Sequence, residues 1–330
     1  MASGERYFGR YYKLTIRPPG GKTMVFETTK GNPAMDIKFN VTYARGQLAR
    51  EGTVSICGLT LDTIHKILSL SAMARDKAMS QLATLTLQAG YFSSAGTVEV
   101  LNGFMWYASV TAPPDLWVTI KVSEYNPLGG VAAQITCEKN TPLADFLNHV
   151  CIQYEEAEED ALEEAGGGGE ITYNWWDGTE DYLVESGDIN LTCQFSEEMT
   201  LQDCIRRLSK ELSNDVQFTL RTFASETAEG TRMIEVLDKE AHKATNGEVQ
   251  VDEEHGLLSV TGIDCISGCI TTFIDGAGDD NLCHLTLKSW LNPQANGRYY
   301  ITKKEYVGHY MGPEWYVRYY CSGKEGDEES

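Results

Sequence analysis

Two strings of similar grammar, one in each half of the chain, constrain its fold more than any other feature. The first runs Gly103-Phe104-Met105-Trp106-Tyr107, passes Pro113-Pro114-Asp115-Leu116-Trp117 and returns through Val118-Thr119-Ile120-Lys121-Val122. The second runs Gly297-Arg298-Tyr299-Tyr300-Ile301-Thr302, passes Gly312-Pro313-Glu314-Trp315 and returns through Tyr316-Val317-Arg318-Tyr319-Tyr320. Each starts on glycine, lays down an aromatic-rich strand, turns at Pro beside an acid and a Trp, and comes back as an alternating strand. That is the pattern of a β-hairpin. A chain that uses one β-unit twice with different decoration is expected to build a symmetric object in preference to a single catalytic pocket.

Around the first string, Ile37-Lys38-Phe39-Asn40-Val41-Thr42-Tyr43 alternates apolar and polar residues without a fault, as do Val54-Ser55-Ile56-Cys57 and Leu85-Thr86-Leu87-Gln88-Ala89. Period-two alternation puts one face of each strand on a core, and these strands suffice for a small antiparallel sheet or barrel. Leu61, Ile64, Ile67, Leu68 and Ser71 follow helical spacing behind Thr60, a residue type that caps helix N-termini. The run Tyr125-Asn126-Pro127-Leu128-Gly129-Gly130 then breaks every period and is expected to end a first domain, residues 1–125.

A middle region, residues 126–255, opens with Thr141 as a cap and Pro142 in the first helical turn, followed by an apolar stripe of Leu143, Phe146, Leu147, Val150 and Cys151. That helix runs into Glu155, Glu156, Glu158, Glu159, Asp160, Glu163 and Glu164 and then meets Gly166 to Gly169. Like charges at helical spacing repel and glycine is costly to order, so residues 155–188 are expected to form a flexible acidic and glycine-rich insert. Thr200 caps another helix, with Leu201, Cys204, Ile205, Leu208 and Leu212 on one side. Alternation resumes at Val216 to Leu220 and Met233 to Val236. From Gly256 it dominates: Leu257 to Thr261, Cys269 to Phe273, Leu282 to Ser289, Tyr299 to Val307 and Trp315 to Cys321, a second β-domain spanning 256–323 before a charged tail, 324–330.

The 330 residues carry a formal charge of -21, so the summed field repels phosphate and disfavours sequence-specific nucleic-acid binding. Residues 1–6 lack the apolar core of a signal peptide, which points to synthesis in the cytosol, and the uncharged run from Ala78 to Val98 holds too many polar residues to span a membrane. Nine scattered cysteines form no zinc-type doublets and read as buried free thiols. No Gly-x-Ser-x-Gly elbow, P-loop or His-Glu-x-x-His helix occurs, and the six histidines are dispersed. Cys265, Cys269, Cys283 and His284 are the nearest thing to a metal constellation, yet adjacent strand residues such as Cys283 and His284 face opposite ways. The stretch Asp275-Gly276-Ala277-Gly278-Asp279-Asp280-Asn281 lacks the order of a calcium loop and reads as a turn, and Trp175-Trp176 reads equally as a stacking platform or as packing of the insert. No catalytic, cofactor-binding or metal-binding residue is expected.

In order along the chain, Val54-Ser55-Ile56-Cys57-Gly58-Leu59-Thr60, Ala89-Gly90-Tyr91, Gly103 and the Pro113 to Val122 return strand resemble the first half of a known family. In the second half the resemblance is carried by Gly256-Leu257-Leu258-Ser259-Val260, Leu285-Thr286-Leu287-Lys288-Ser289, Asn296 to Thr302 and the Gly312 to Tyr316 turn. The family is the central baseplate hub of contractile phage tails, related to the hub part of type VI secretion spikes. Cys57-Gly58 stands where an Asn often precedes the Leu, and the Glu/Gly segment has no counterpart in the family pattern.

The resemblance implies a mainly β (α+β) chain with two tube-type antiparallel β-barrel domains and a smaller inserted α/β region. It implies a structural, non-enzymatic virion protein, assembled in the host cytoplasm into a homotrimer at the tail baseplate. The partners implied are the tail tube protein, the central spike protein, the tape measure protein and other baseplate proteins. DNA would pass without sequence-specific binding, and no stable membrane insertion is expected. The alternatives are a hub-like tail-tip protein of a non-contractile phage or secretion spike and, from another class, a virion-associated cell-wall hydrolase. The hydrolase would need a rigidly held carboxylate pair that the sequence does not offer.

Overall fold

The computed structural model describes residues 9–29, 35–44, 50–71, 82–93, 95–124, 131–164, 171–176, 190–192, 194–212, 216–224, 230–238, 248–264, 267–274 and 284–324. The first part of the chain contributes β1 (Arg10–Arg17), β2 (Met24–Glu27), β3 (Ile37–Ala44), β4 (Glu51–Cys57), helix α1 (Leu61–Leu70), β5 (Thr84–Tyr91), β6 (Thr97–Val110) and β7 (Trp117–Ser123). The middle supplies β8 (Ala132–Cys137), α2 (Leu143–Glu164), β9 (Ile171–Trp176), β10 (Phe195–Thr200), α3 (Leu201–Glu211), β11 (Val216–Ala224) and β12 (Gly230–Asp238). The last part adds β13 (Glu248–Val251), β14 (Leu257–Asp264), β15 (Ser267–Phe273), β16 (His284–Leu287), β17 (Gly297–His309) and β18 (Trp315–Lys324).

Both strings that opened the sequence analysis are antiparallel hairpins, β6–β7 and β17–β18. In each, the outgoing strand is long and its register slips: between Met105 and Tyr107 in the first hairpin, between Ile301 and Lys303 in the second. A one-residue slip bends a strand and increases its twist, which lets one strand serve two partners in succession. β6 thus pairs with β5 and then β7, and β17 pairs with β16 and then β3.

The two hairpins belong to one thirteen-stranded sheet, in the order β14-β15-β18-β17-β3-β4-β7-β6-β5-β1-β2, with β13 and β16 branching from β17. The seam between early and late parts of the chain is β3 against β17, paired antiparallel from Lys303↔Ala44 to His309↔Lys38. Among the described residues this sheet does not close on itself by backbone hydrogen bonds, so the barrels expected from the sequence are seen as one continuous curled sheet. The curl is visible in side-chain contacts that skip the intervening strands. Tyr12 of β1 meets Tyr310 edge-on at 5.3 Å, Tyr91 of β5 meets Phe273 of β15 at 6.1 Å, and Trp315 Nε1 donates to the Gly90 carbonyl at 3.2 Å.

Alternation explains what the curl encloses. Ile37, Phe39, Val41 and Tyr43 of β3, Val54 and Ile56 of β4, and Val118, Ile120 and Val122 of β7 all point into one core shared with Ile301, Tyr306, Trp315, Val317 and Tyr319. Each fully buried aliphatic side chain stabilises the fold by about 1.5–3 kcal/mol relative to exposure. Helix α1 covers part of this core with Ile64, Ile67 and Leu70, and Thr60 caps it, its hydroxyl accepting the Thr63 N–H at 3.3 Å.

The middle region has a separate core. β8 and β10 form a two-stranded antiparallel pair, and β11, β12 and β9 a three-stranded sheet in which β12 and β9 run parallel. Phe146, Leu147, Val150 and Tyr154 of α2 meet Phe195, Cys204, Ile205, Leu208 and Ile234 there, with the Phe146 and Phe195 rings 4.8 Å apart. The Thr200 cap on α3 is present, its hydroxyl accepting the Asp203 N–H at 3.2 Å.

Two local expectations need correction. Thr141 does not cap α2: its hydroxyl donates to the Glu138 carbonyl at 2.8 Å, and Pro142 lies before the helix, its carbonyl accepting the Phe146 N–H at 3.0 Å. The expected flexible insert does not begin at Glu155, because α2 continues to Glu164 and residues 171–176 form β9. Glu155 accepts the Tyr173 N–H at 3.0 Å and the buried Glu158 accepts the Tyr173 hydroxyl, so cross-links to β9 offset the repulsion between acids. Residues 165–170 and 177–189 lie outside the described residues, as does the break at 125–130.

Candidate assembly interface

Strand alternation leaves the second face of the sheet polar, and across the β3–β17 seam that face is a connected network. Register places Lys38, Asn40 and Thr42 of β3 beside His309, Val307 and Glu305 of β17, and Glu305 beside Arg318 of β18. Glu305 is the centre: it accepts Asn40 Nδ2 at 3.2 Å and the Tyr320 hydroxyl at 3.1 Å, and Arg318 stands 3.5 Å away. Burial pushes the Glu305 carboxyl up, but the hydrogen bonds from Asn40 and Tyr320 and the charges of Lys303 and Arg318 outweigh it and hold the group below its usual value. On the same face the cations lie on rings: Lys38 over Trp117 at 4.1 Å, Lys303 over Tyr320 at 4.8 Å and Arg318 over Tyr316 at 4.8 Å. Such pairs fix long side chains at modest energetic gain.

The tip of the β17–β18 hairpin, residues 310–314, is tied down by the start of the chain. Arg10 of β1 donates Nη1 to the carbonyls of His309 at 2.9 Å, Tyr310 at 3.1 Å and Gly312, and Nη2 to Pro313 at 3.3 Å. Asp36 closes the other side, 2.9 Å from His309 Nε2 and accepting the Met311 N–H at 3.1 Å, while Glu314 stands 3.6 Å from His309 Nδ1. A guanidinium spends its fixed fork of donors on carbonyls that a turn would otherwise leave to water. The arrangement of acid, histidine and acid therefore serves the joint between chain segments.

The residues singled out for chemistry stay apart. No group of three or more His, Cys, Asp or Glu among the described residues is placed to hold a metal ion. Of the proposed constellation, Cys269 is half-buried on β15 and His284 buried on β16, while Cys265 and Cys283 lie outside the described residues, as does the 275–281 turn. Cys151 and Cys321 are free and buried, and desolvation pushes both thiols up to about 12, which keeps them protonated and unreactive. Trp175 packs against the middle core and donates Nε1 to Asn148 Oδ1 at 2.6 Å, which accounts for it as packing.

Two features went unread in the sequence. Arg50 and Glu124, at the ends of β4 and β7, form an ion pair at 3.4 Å with side chains only 6% and 7% exposed. Trp290 and Leu291, in the turn after β16, are 73% and 69% exposed, a large apolar pair facing solvent. No helix among the described residues is long and apolar enough to cross a membrane.

Comparison with known proteins agrees with this architecture. A tail protein of Neisseria meningitidis MC58 superimposes with a TM-score of 0.52 at 8% identity, over 96% of this chain and 97% of that one. The 43 kDa tail protein of prophage MuSo2 from Shewanella oneidensis gives 0.50 at 10% identity, over 94% and 96%. A type VI secretion component of E. coli, described as structurally similar to T4 tail proteins gp27 and gp5, gives 0.47 at 8% identity, over 91% and 77%, too distant to add weight. No curated protein sequence matches the chain. Residues 21–157, from the approach to β2 into α2, match the family described as Baseplate hub gp41, so this part of the chain is similar to a phage baseplate hub while the whole chain shares its fold with phage tail proteins.

Proposed function

We propose that the chain is the structural subunit of the central hub of a phage tail baseplate, acting as a ring of three copies without turning over a substrate. The observation that carries this reading is the recurrence of one long, bulged, aromatic-rich hairpin on both sides of the β3–β4 pair in a single sheet. Two similar modules per chain in a threefold ring present six near-equivalent units around an axis, so a threefold spike fits one end and a sixfold tube the other. On this reading residues 1–125 and 256–323 are the two tube-like modules, 126–255 is the decorating region, and tail tube, spike, tape measure and other baseplate proteins are the neighbours.

The joint at Arg10, Asp36 and His309 and the β3–β17 seam support the reading mechanically, because they tie the early and late strands together. Net charge fits a channel that DNA passes without sticking, since an acidic wall offers phosphate no foothold. The sheet's networked face is not that wall, because Lys38, Lys121, Lys303 and Arg318 stand on it among its acids. Solution mass tests the proposal. The purified chain is expected to run as a species of three chain masses, and a strict monomer at high concentration would defeat it.

A further inference from the structure

The turn that displays Trp290 and Leu291 is built to stay in one shape. Glu253, in the turn before β14, accepts the Ser289 hydroxyl at 2.5 Å, the Trp290 N–H at 3.3 Å and the Leu291 N–H at 3.2 Å. Ser289 in turn donates its N–H to Asn296 Oδ1 at 2.6 Å and accepts the Asn292 N–H at 2.9 Å. With these four backbone donors satisfied inside the turn, the two apolar side chains are left in water at a fixed position. Burial pushes the Glu253 carboxyl up, but those hydrogen bonds outweigh it and keep the group ionised. An exposed Trp on a backbone already held in one shape leaves less of the turn to be ordered on binding, which is the make-up of an interface anchor.

What receives it is indicated by charge. Between Glu248 and Leu258 the chain carries Glu248, Asp252, Glu253 and Glu254 and no Lys or Arg. At the opposite terminus of the sheet's pairing order, residues 9–29 carry Arg10, Lys13, Arg17 and Lys22 against Glu27 alone, in a chain that is otherwise strongly acidic. Lys13, Arg17 and the 50% exposed Val25, with Glu99 as the one acid, border an open cavity of about 440 Å³ on the polar face of β1, β2, β5 and β6. β2 pairs only with β1, and β14 only with β15, among the described strands, so both ends of the sheet are open edges. Open edges and exposed apolar groups are aggregation hazards unless a partner covers them.

We propose that the Trp290–Leu291 turn of one copy seats on the basic β1–β2 face of the next, around Lys13, Arg17 and Val25. The contact is head-to-tail, joining unlike surfaces, and so propagates around an axis until the ring closes. The inference rests on the ring reading above and names the surfaces that make it.

The test uses the full chain. Trp290→Ala with Leu291→Ala is expected to leave the melting temperature of the dissociated chain at high dilution unchanged, because both side chains are exposed, and to weaken self-assembly in sedimentation by roughly thirtyfold or more. Lys13→Glu and Glu254→Lys should each weaken assembly, and their combination should restore part of it. With p-benzoylphenylalanine in place of Trp290, irradiation of mixed isotope-labelled and unlabelled copies should cross-link position 290 to peptides 9–29 of another copy. Full assembly of the Trp290/Leu291 variant, or cross-links to another surface, would overturn the assigned contact while leaving the ring intact. A monomeric unmodified chain would overturn both.

Discussion

Gly308 sits at the β3–β17 seam directly opposite Phe39, and the ring of Phe39 fills the space a side chain would need. A Cβ at position 308 would stand within 3.0 Å of three ring carbons. The ring has nowhere to retreat: it is 3% exposed and packs edge-on to Trp315 at 5.3 Å. Overpacking of a filled core costs about 1–3 kcal/mol, and blocked retreat puts Gly308→Ala at the upper end. In a chain of this size about 3 kcal/mol lowers the melting temperature by roughly 4 °C, readable by calorimetry. The cause is tested by a cycle with Phe39→Leu. If the methyl collides with the ring, the double variant loses less stability than the two single losses combined, by about 1 kcal/mol or more. Strict additivity, or a melting temperature unchanged by Gly308→Ala, would refute the claim that close approach at the seam requires glycine there.

Other expectations follow from the same geometry. Arg50→Met removes the guanidinium from the buried pair with Glu124 and should cost about 1–3 kcal/mol in denaturant unfolding, whereas Arg50→Met with Glu124→Leu should recover part of that loss. Equal losses in both variants would count against a buried pair as the cause. Glu305, held below its ordinary value of 4.5, stabilises the fold fully above that pH, and the contribution fades as pH falls through the lower folded value. Glu305→Gln should therefore flatten the acid side of the stability profile, and an unaltered profile would contradict the Asn40–Glu305–Tyr320 network.

Much of the local structure was legible because it is carried by local periods. Ile37 to Tyr43 and the two hairpins announce themselves by alternation, and α1 and α3 by a Thr cap followed by residues at helical spacing. The pairing of β3 with β17 was not, because residues some 260 positions apart meet through a register that no local pattern encodes. That long-range seam joins the early and late strands into one sheet. Acid repulsion after Glu155 was overestimated because its compensation, Tyr173 reaching Glu155 and Glu158, comes from another element. At the candidate interface, Trp290 and Leu291 carry no period and stand in a Ser-Trp-Leu-Asn-Pro turn, so only their exposure in the folded chain separates them from core residues.

The central claim is that three copies of a twice-used hairpin module surround an axial channel. An averaged electron-microscopy view of the assembled particle down its axis tests it most directly. The account predicts threefold symmetry with six similar β-rich lobes around an open bore. A ring with one lobe per subunit, or a solid centre, would contradict it.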